Sequence, residues 1–251
     1  MPTPKPSRRK PGVPDQQVLV KKGKIVVSKN GPYLVSGSLP LGKEISQVGD
    51  EGEPERWVKG EQYPAQENYA LCRCGKSRNH PFCDGAHTSA GFDGTETAGR
   101  KSYAEQAVTT EGPGLDLKDV ESLCAWVRFC KPKGGTRKLT LESSDPEKRK
   151  VAIQQCSDCP SGRLVACDKK TGKPIEPEFE PSISLIEDPR TKSSGPIWVK
   201  GGVVIESGDG NTYEVRNRVT LCRCGRSKNK PFCDGCHIRA RFNDGDDSLN
   251  T

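Results

Sequence analysis

The sequence predicts a β-rich α+β fold in which two copies of one small module flank a small helix-containing insert. Three observations predict it. Residues 72–87 read CRCGKSRNHPFCDGAH and residues 222–237 read CRCGRSKNKPFCDGCH, identical at twelve of sixteen positions at an offset of 150. Such self-similarity marks a repeated structural unit. Short apolar runs bounded by Gly, Pro and Asn precede both copies, and runs of that kind are strand signals. Between the copies the pattern changes to helical spacing and a proline-marked helix start.

In chain order the reading is a basic arm over 1–16, a first module over 17–105, the insert over 106–180 and a second module over 181–251. The arm is rich in Pro, Lys and Arg and is expected to be disordered. Gly31-Pro32-Tyr33-Leu34-Val35-Ser36-Gly37 matches Gly195-Pro196-Ile197-Trp198-Val199-Lys200-Gly201, and both read as strands. Residues 41–69 contain Gly-Asp-Glu-Gly and several prolines, which predicts a long loop. In the second copy strands are expected at 197–200 and 203–206, another beginning at 212–215, and a last one at 219–221 leading into the cysteines. Phe92 and Phe242 each lie five residues after the final histidine of their copy.

Each copy has the spacing C-x-C-x8-C-x3-H: Cys72, Cys74, Cys83 and His87, then Cys222, Cys224, Cys233 and His237. Gly75 and Gly225 follow the C-x-C pairs and permit a bend that brings both cysteines to one centre. Cys83 and His87 are four apart, as are Cys233 and His237, so one helical turn puts each pair on one face. Packing alone does not account for four donor side chains recurring at identical spacing.

These residues resemble the CDGSH iron–sulfur domain, also called the NEET family. Ser77, Pro81, Asp84 and Gly85, with Ser227, Pro231, Asp234 and Gly235, fit the family pattern in both copies. The resemblance implies a [2Fe–2S] cluster at each motif, held by the three cysteines and the histidine. It also implies a β-cap and a paired unit, here an intramolecular pseudo-dimer within a monomer. Cys236 departs from the pattern by standing where the family has a small residue; it is read as a small-residue substitute, with a redox-active thiol as the alternative. A neutral imidazole in place of a thiolate leaves the centre less negative and raises its potential. Histidine also titrates near neutrality, which makes His87 and His237 a redox handle and an acid-release latch.

The insert holds Cys124, Cys130, Cys156, Cys159 and Cys167. Val120, Leu123, Cys124 and Val127 follow helical spacing, Ser144-Asp145-Pro146-Glu147 opens a second helix, and Cys159-Pro160-Ser161-Gly162 opens a turn. Cys124-x5-Cys130 followed by Cys159-Pro160 resembles a divergent single-cluster ferredoxin segment. A third iron–sulfur cluster on Cys124, Cys130 and Cys159, with Cys156 as a fourth candidate, therefore stands beside a packing role for these thiols.

The chain is 31% hydrophobic with 20 Pro, 27 Gly, twelve Cys and a formal charge of +7. So thin a core suits metal-stapled modules. Without an apolar secretory leader the thiols point to metal rather than disulfides, and to a soluble, cytoplasmic rather than mitochondrial protein with no membrane span. Arg73, Lys76, Arg78, Arg223, Arg226, Lys228, Lys230, Arg239 and Arg241 are read as surrounding the clusters, offsetting their charge and steering an acidic redox or cluster-acceptor partner. Nucleic acid is set aside because no stacking aromatics interleave with the charges. With no glycine-rich nucleotide loop and no nucleophile–base pair, the sequence reads as an electron- or cluster-transfer protein and not an enzyme. The alternatives are a structural zinc module and a redox subunit of an oxidoreductase.

Overall fold

The computed structural model describes residues 23–250. The predicted basic arm and the first residues of the first module lie outside the described residues. Among the described residues strands dominate, in three sheets, with five short α-helices.

The first sheet orders β12 (Val204–Glu206), β1 (Lys24–Val27), β2 (Tyr33–Ser36) and β5 (Asn68–Leu71). The second orders β13 (Arg218–Leu221), β11 (Ser193–Lys200), β10 (Ser182–Asp188), β3 (Leu41–Val48) and β4 (Pro54–Gln62). Each sheet draws on both halves of the chain: the first takes β12 from the second half, and the second takes β3 and β4 from the first. β12 pairs parallel with β1, and β3 pairs parallel with β10. The inward side chains of both sheets, including Ile25, Val35, Leu71, Leu185, Val199 and Leu221, form one apolar cluster. The two halves thus share a core that neither encloses alone.

Three expectations change. Residues 41–62 are not a loop but the β3–β4 hairpin, with Gly49–Gly52 in its turn. Pairing of β3 with β10 is non-local and leaves no local sequence signal. No strand begins at 212–215; Thr212 makes only an isolated bridge to Glu206. Residues 120–127 are not an α-helix. A 3₁₀ turn covers Glu121–Leu123, and Trp126 and Arg128 then take φ of 59° and 69°.

The insert forms its own four-stranded sheet, β6 (Val108–Glu111), β7 (Leu115–Asp119), β8 (Leu164–Asp168) and β9 (Pro174–Ile175), packed on α3 (Thr136–Leu141) and α4 (Pro146–Ser157). α4 begins where the proline signal put it. Asp145 caps it by accepting from the backbone N–H groups of Glu147 and Lys148. Aromatic stacking joins the insert to the second sheet: Trp57 on β4 lies 4.4 Å from Phe129 and 5.1 Å from Trp198, centroid to centroid. No described helix is long and apolar enough to cross a membrane.

Candidate metal centres

The motif loops hang from the ends of β5 and β13. Cys72 N–H donates to Pro81 O and Cys83 N–H to Ala70 O, at 2.8 and 2.9 Å. In the second copy Cys222 N–H donates to Pro231 O and Cys233 N–H to Thr220 O at the same distances. These bonds return the chain onto its own strand and bring the third cysteine back toward the first two.

The other motif residues hold the loop. Ser77 Oγ donates to Phe82 O at 2.7 Å and accepts from Asn79 N–H; Ser227 does the same with Phe232 and Asn229. Asp84 accepts from Arg78 N–H at 2.9 Å and Ala86 N–H at 3.0 Å, and Asp234 does so from Lys228 and Cys236. The carboxylate thereby ties the loop to the start of α1 (Ala86–Ser89) or α5 (Cys236–Arg239). Each helix is a single turn beginning after a left-handed glycine, so Cys83 lies outside it. The cysteine and histidine meet through that turn, not along a helical face.

The C-x-C pairs meet where the chain bends just beyond β5 and β13, at 73–75 and 224–225. Cys72 Sγ lies 3.8 Å from Cys74 Sγ, and Cys222 Sγ 3.7 Å from Cys224 Sγ. Gly75 and Gly225 sit in those bends and answer a second need as well. Both have positive φ, and a Cβ on Gly75 would come 2.9 Å from Cys224 O, one on Gly225 2.5 Å from Cys74 O. The two cysteine loops therefore pack backbone to backbone.

The residue between each cysteine pair points the opposite way, into the protein. Arg73 and Arg223 are each 2% exposed, which removes them from the basic surface expected around the centres. Arg73 donates to Ser28 O at 2.8 Å and to Gly94 O, with its guanidinium 5.4 Å from the Phe92 ring. Arg223 donates to Gly195 O at 2.7 Å, pairs with Glu187 at 2.5 Å and with Asp244, and lies 5.6 Å from the Phe242 ring. The repeated phenylalanines are platforms for these arginines. Lys76, Arg78, Arg226, Lys228, Arg239 and Arg241 do remain exposed.

Cys83 Sγ lies 3.4 Å from His87 Nδ1, and Cys233 Sγ 3.5 Å from His237 Nδ1. A tetrahedral metal with bonds of about 2.3 Å to sulfur and about 2.05 Å to nitrogen holds two thiolates about 3.8 Å apart, and a thiolate and an imidazole about 3.5 Å apart. Each copy thus presents two tetrahedral edges, Cys–Cys and Cys–His. Among the described residues no three such side chains converge on a single metal-ion position. Burial raises the Cys74 thiol to about 11, helped by the charges of Cys72 and Cys83, so the two edges lie within electrostatic reach. Burial also acts on Cys72, but the neighbouring His80 ring and backbone N–H groups outweigh it and bring the thiol to about 7. His80 Nε2 is buried without a hydrogen-bond partner, and a charged centre held by Cys72 would offer one. Burial lowers His237 to about 4, so its ring is neutral and able to ligate at pH 7.

Cys236 Sγ sits 3.5 Å from Cys224 Sγ. The sequence singled out this residue, but its contact with a ligand sulfur is visible only in three dimensions. The role of Arg73 and Arg223 had one sequence signal, their recurrence between the cysteines. In the insert, Cys124, Cys130 and Cys159 line one cavity, and Cys156 packs beside Cys130 and Cys159.

Residues 30–88 and 194–238 both match the family described as iron-binding zinc finger CDGSH type. Two regions of the chain, one around each cysteine–histidine motif, thus carry the CDGSH-type motif in tandem. Over 53 residues it is 40% identical to CDGSH iron-sulfur domain-containing protein 3, mitochondrial, of Homo sapiens, a match spanning 21% of this chain and 37% of that protein. No solved structure matches the chain.

Proposed function

We propose that the protein holds two [2Fe–2S] clusters, one on Cys72, Cys74, Cys83 and His87 and one on Cys222, Cys224, Cys233 and His237, and that it carries electrons or delivers clusters rather than catalysing organic chemistry. The observation that carries this reading is the arrangement of donors in two pairs per site, each spanning one tetrahedral edge. A dinuclear centre takes two protein ligands on each iron, whereas a structural zinc ion gathers four donors around one point. The reciprocal strand exchange and the abutting Gly75 and Gly225 loops support an intramolecular pseudo-dimer under a β-cap.

When bound, such a centre supplies reversible one-electron chemistry. The chain's own residues set its surroundings. Thiolates of each C-x-C pair and a neutral imidazole bind it. Asp84 and Asp234 fix the loops that present them. The exposed basic side chains around the motif loops favour an acidic partner.

The test is a visible spectrum of anaerobically purified protein with iron and acid-labile sulfide counted per chain. The expected result is a coloured protein with about four irons and about four sulfides. A colourless, zinc-loaded chain without sulfide overturns the reading. The thiols at the insert cavity support a third centre, and iron and sulfide clearly above four assign it to Cys124, Cys130 and Cys159 with Cys156; a count of four leaves them as packing residues.

A second expectation concerns Cys236. An S–H group donating to a coordinated sulfur stabilises its negative charge, and such hydrogen bonds raise cluster potentials. Removing a bond of about 1 kcal/mol in Cys236→Ala should lower the potential of the second centre by about 40 mV. A redox titration resolving both centres checks this; the first should not move.

A further inference from the structure

The two motifs are near-copies in sequence, yet the insert treats them differently. In the second copy Cys233 is 2% and His237 4% exposed. In the first, Cys83 and His87 are part-exposed, and Asp84 and Gly85 between them are exposed. The corresponding glycines show the same contrast. A Cβ on Gly85 would meet nothing within 4 Å, whereas one on Gly235 would fall 2.1 Å from Trp126 Cδ1.

The cover is the irregular segment after the 3₁₀ turn of the insert. Trp126 lies over Gly235. Ala125, Val127 and Phe129 share an apolar cluster with Cys233, Ile186 and Trp198. Arg128 anchors the segment to the end of β10 through a 3.0 Å ion pair with Asp188, which also accepts from Ser46. One insert lies between two copies of the motif, and among the described residues the cover has no duplicate.

We infer that the open first site is the exchange port, where a thiol-bearing acceptor protein takes the cluster, and that the shielded second site retains its own. This rests on the reading of two [2Fe–2S] clusters. In the handover each acceptor thiolate replaces one ligand of the first site. The thiol proton passes to the released His87 or cysteine thiolate, and no oxidation state changes. An incoming ligand must reach the metal, and the leaving histidine must swing away. His87 swings into solvent. His237 has to displace the packed 125–129 segment.

The test follows loss of visible absorbance from the intact holoprotein in excess EDTA at neutral pH without oxygen. Two phases of equal amplitude are expected, differing in rate by tenfold or more, a ratio of about 1.4 kcal/mol in barrier. His87→Cys and His237→Cys label the phases, because each changes the spectrum of one centre and slows its release; His87→Cys should slow the fast phase and leave the slow one unchanged. Trp126→Gly should accelerate the slow phase about tenfold and leave the fast one unchanged; glycine suits the positive φ at this half-exposed position. A single wild-type phase, a fast phase slowed by His237→Cys and not by His87→Cys, or a slow phase indifferent to Trp126→Gly overturns the division. A chain without acid-labile sulfide overturns the two-cluster reading as well, which separates the two failures.

Discussion

Arg223→Leu is expected to lower the unfolding free energy by about 3–5 kcal/mol and to empty the second metal site. The guanidinium is 2% exposed and pairs with two buried carboxylates, Glu187 and Asp244, whose side chains are 0% and 5% exposed. It also donates to the carbonyls of Gly195 and Ile186, at 2.7 and 2.9 Å. Leucine fills part of the volume but strands two buried carboxylates and two carbonyls together. Arg223 lies between Cys222 and Cys224, so strain there passes directly to the ligands. Arg73→Leu makes the contrast. Arg73 is equally buried but donates only to backbone carbonyls. Its loss leaves unpaired acceptors and no stranded charge, at about 1–3 kcal/mol. Urea unfolding of the three proteins with iron counts checks both. A loss under about 1 kcal/mol for Arg223→Leu would show that the buried triad is not structural.

The second large effect is with pH. Burial holds His237 at about 4 in the folded protein, against about 6.5 in an unfolded chain. Between those values the unfolded chain binds the extra proton. The stabilising contribution is therefore fully present above pH 6.5 and is lost as pH falls through 6.5 toward 4, amounting to about 3 kcal/mol. Ligation at Nδ1 acts in the same direction, because only the neutral ring binds metal. Unfolding midpoints between pH 7 and pH 4.5 should fall steeply in the wild type. In His237→Asn this part of the slope should vanish, even though the variant starts lower at pH 7. An unchanged slope in His237→Asn would place the pH dependence on other groups.

Much of the proposed metal site was legible because its chemistry is local. The spacing C-x-C-x8-C-x3-H, the serine and the aspartate all act within one sixteen-residue loop. The hydrogen bonds of Ser77 and Asp84 reach no further than six residues. The repeat made the reading safer, since each copy repeats the donors and their supports. What the sequence misplaced depended on distant partners. β3 looked like loop because its pairing strand, β10, lies some 140 residues away. Residues 120–127 have helical spacing, but Leu123, Val127 and Phe129 bury themselves in a turning chain with two left-handed residues. Arg73 and Arg223 looked like surface charges; carbonyl and carboxylate partners elsewhere in the chain turned them inward.

By itself the sequence determined that the chain has two equivalent donor sets, their likeness to iron–sulfur motifs and a β-rich frame, because residue type and short-range spacing suffice for those. Tertiary structure alone decided which strands cross between halves, where the arginines go, and how the two sites differ. Cys83 and Cys233 sit in nearly identical local sequences, yet one is part-exposed and the other buried. Burial depends on whatever chain packs above a residue, and only the second site lies under the insert.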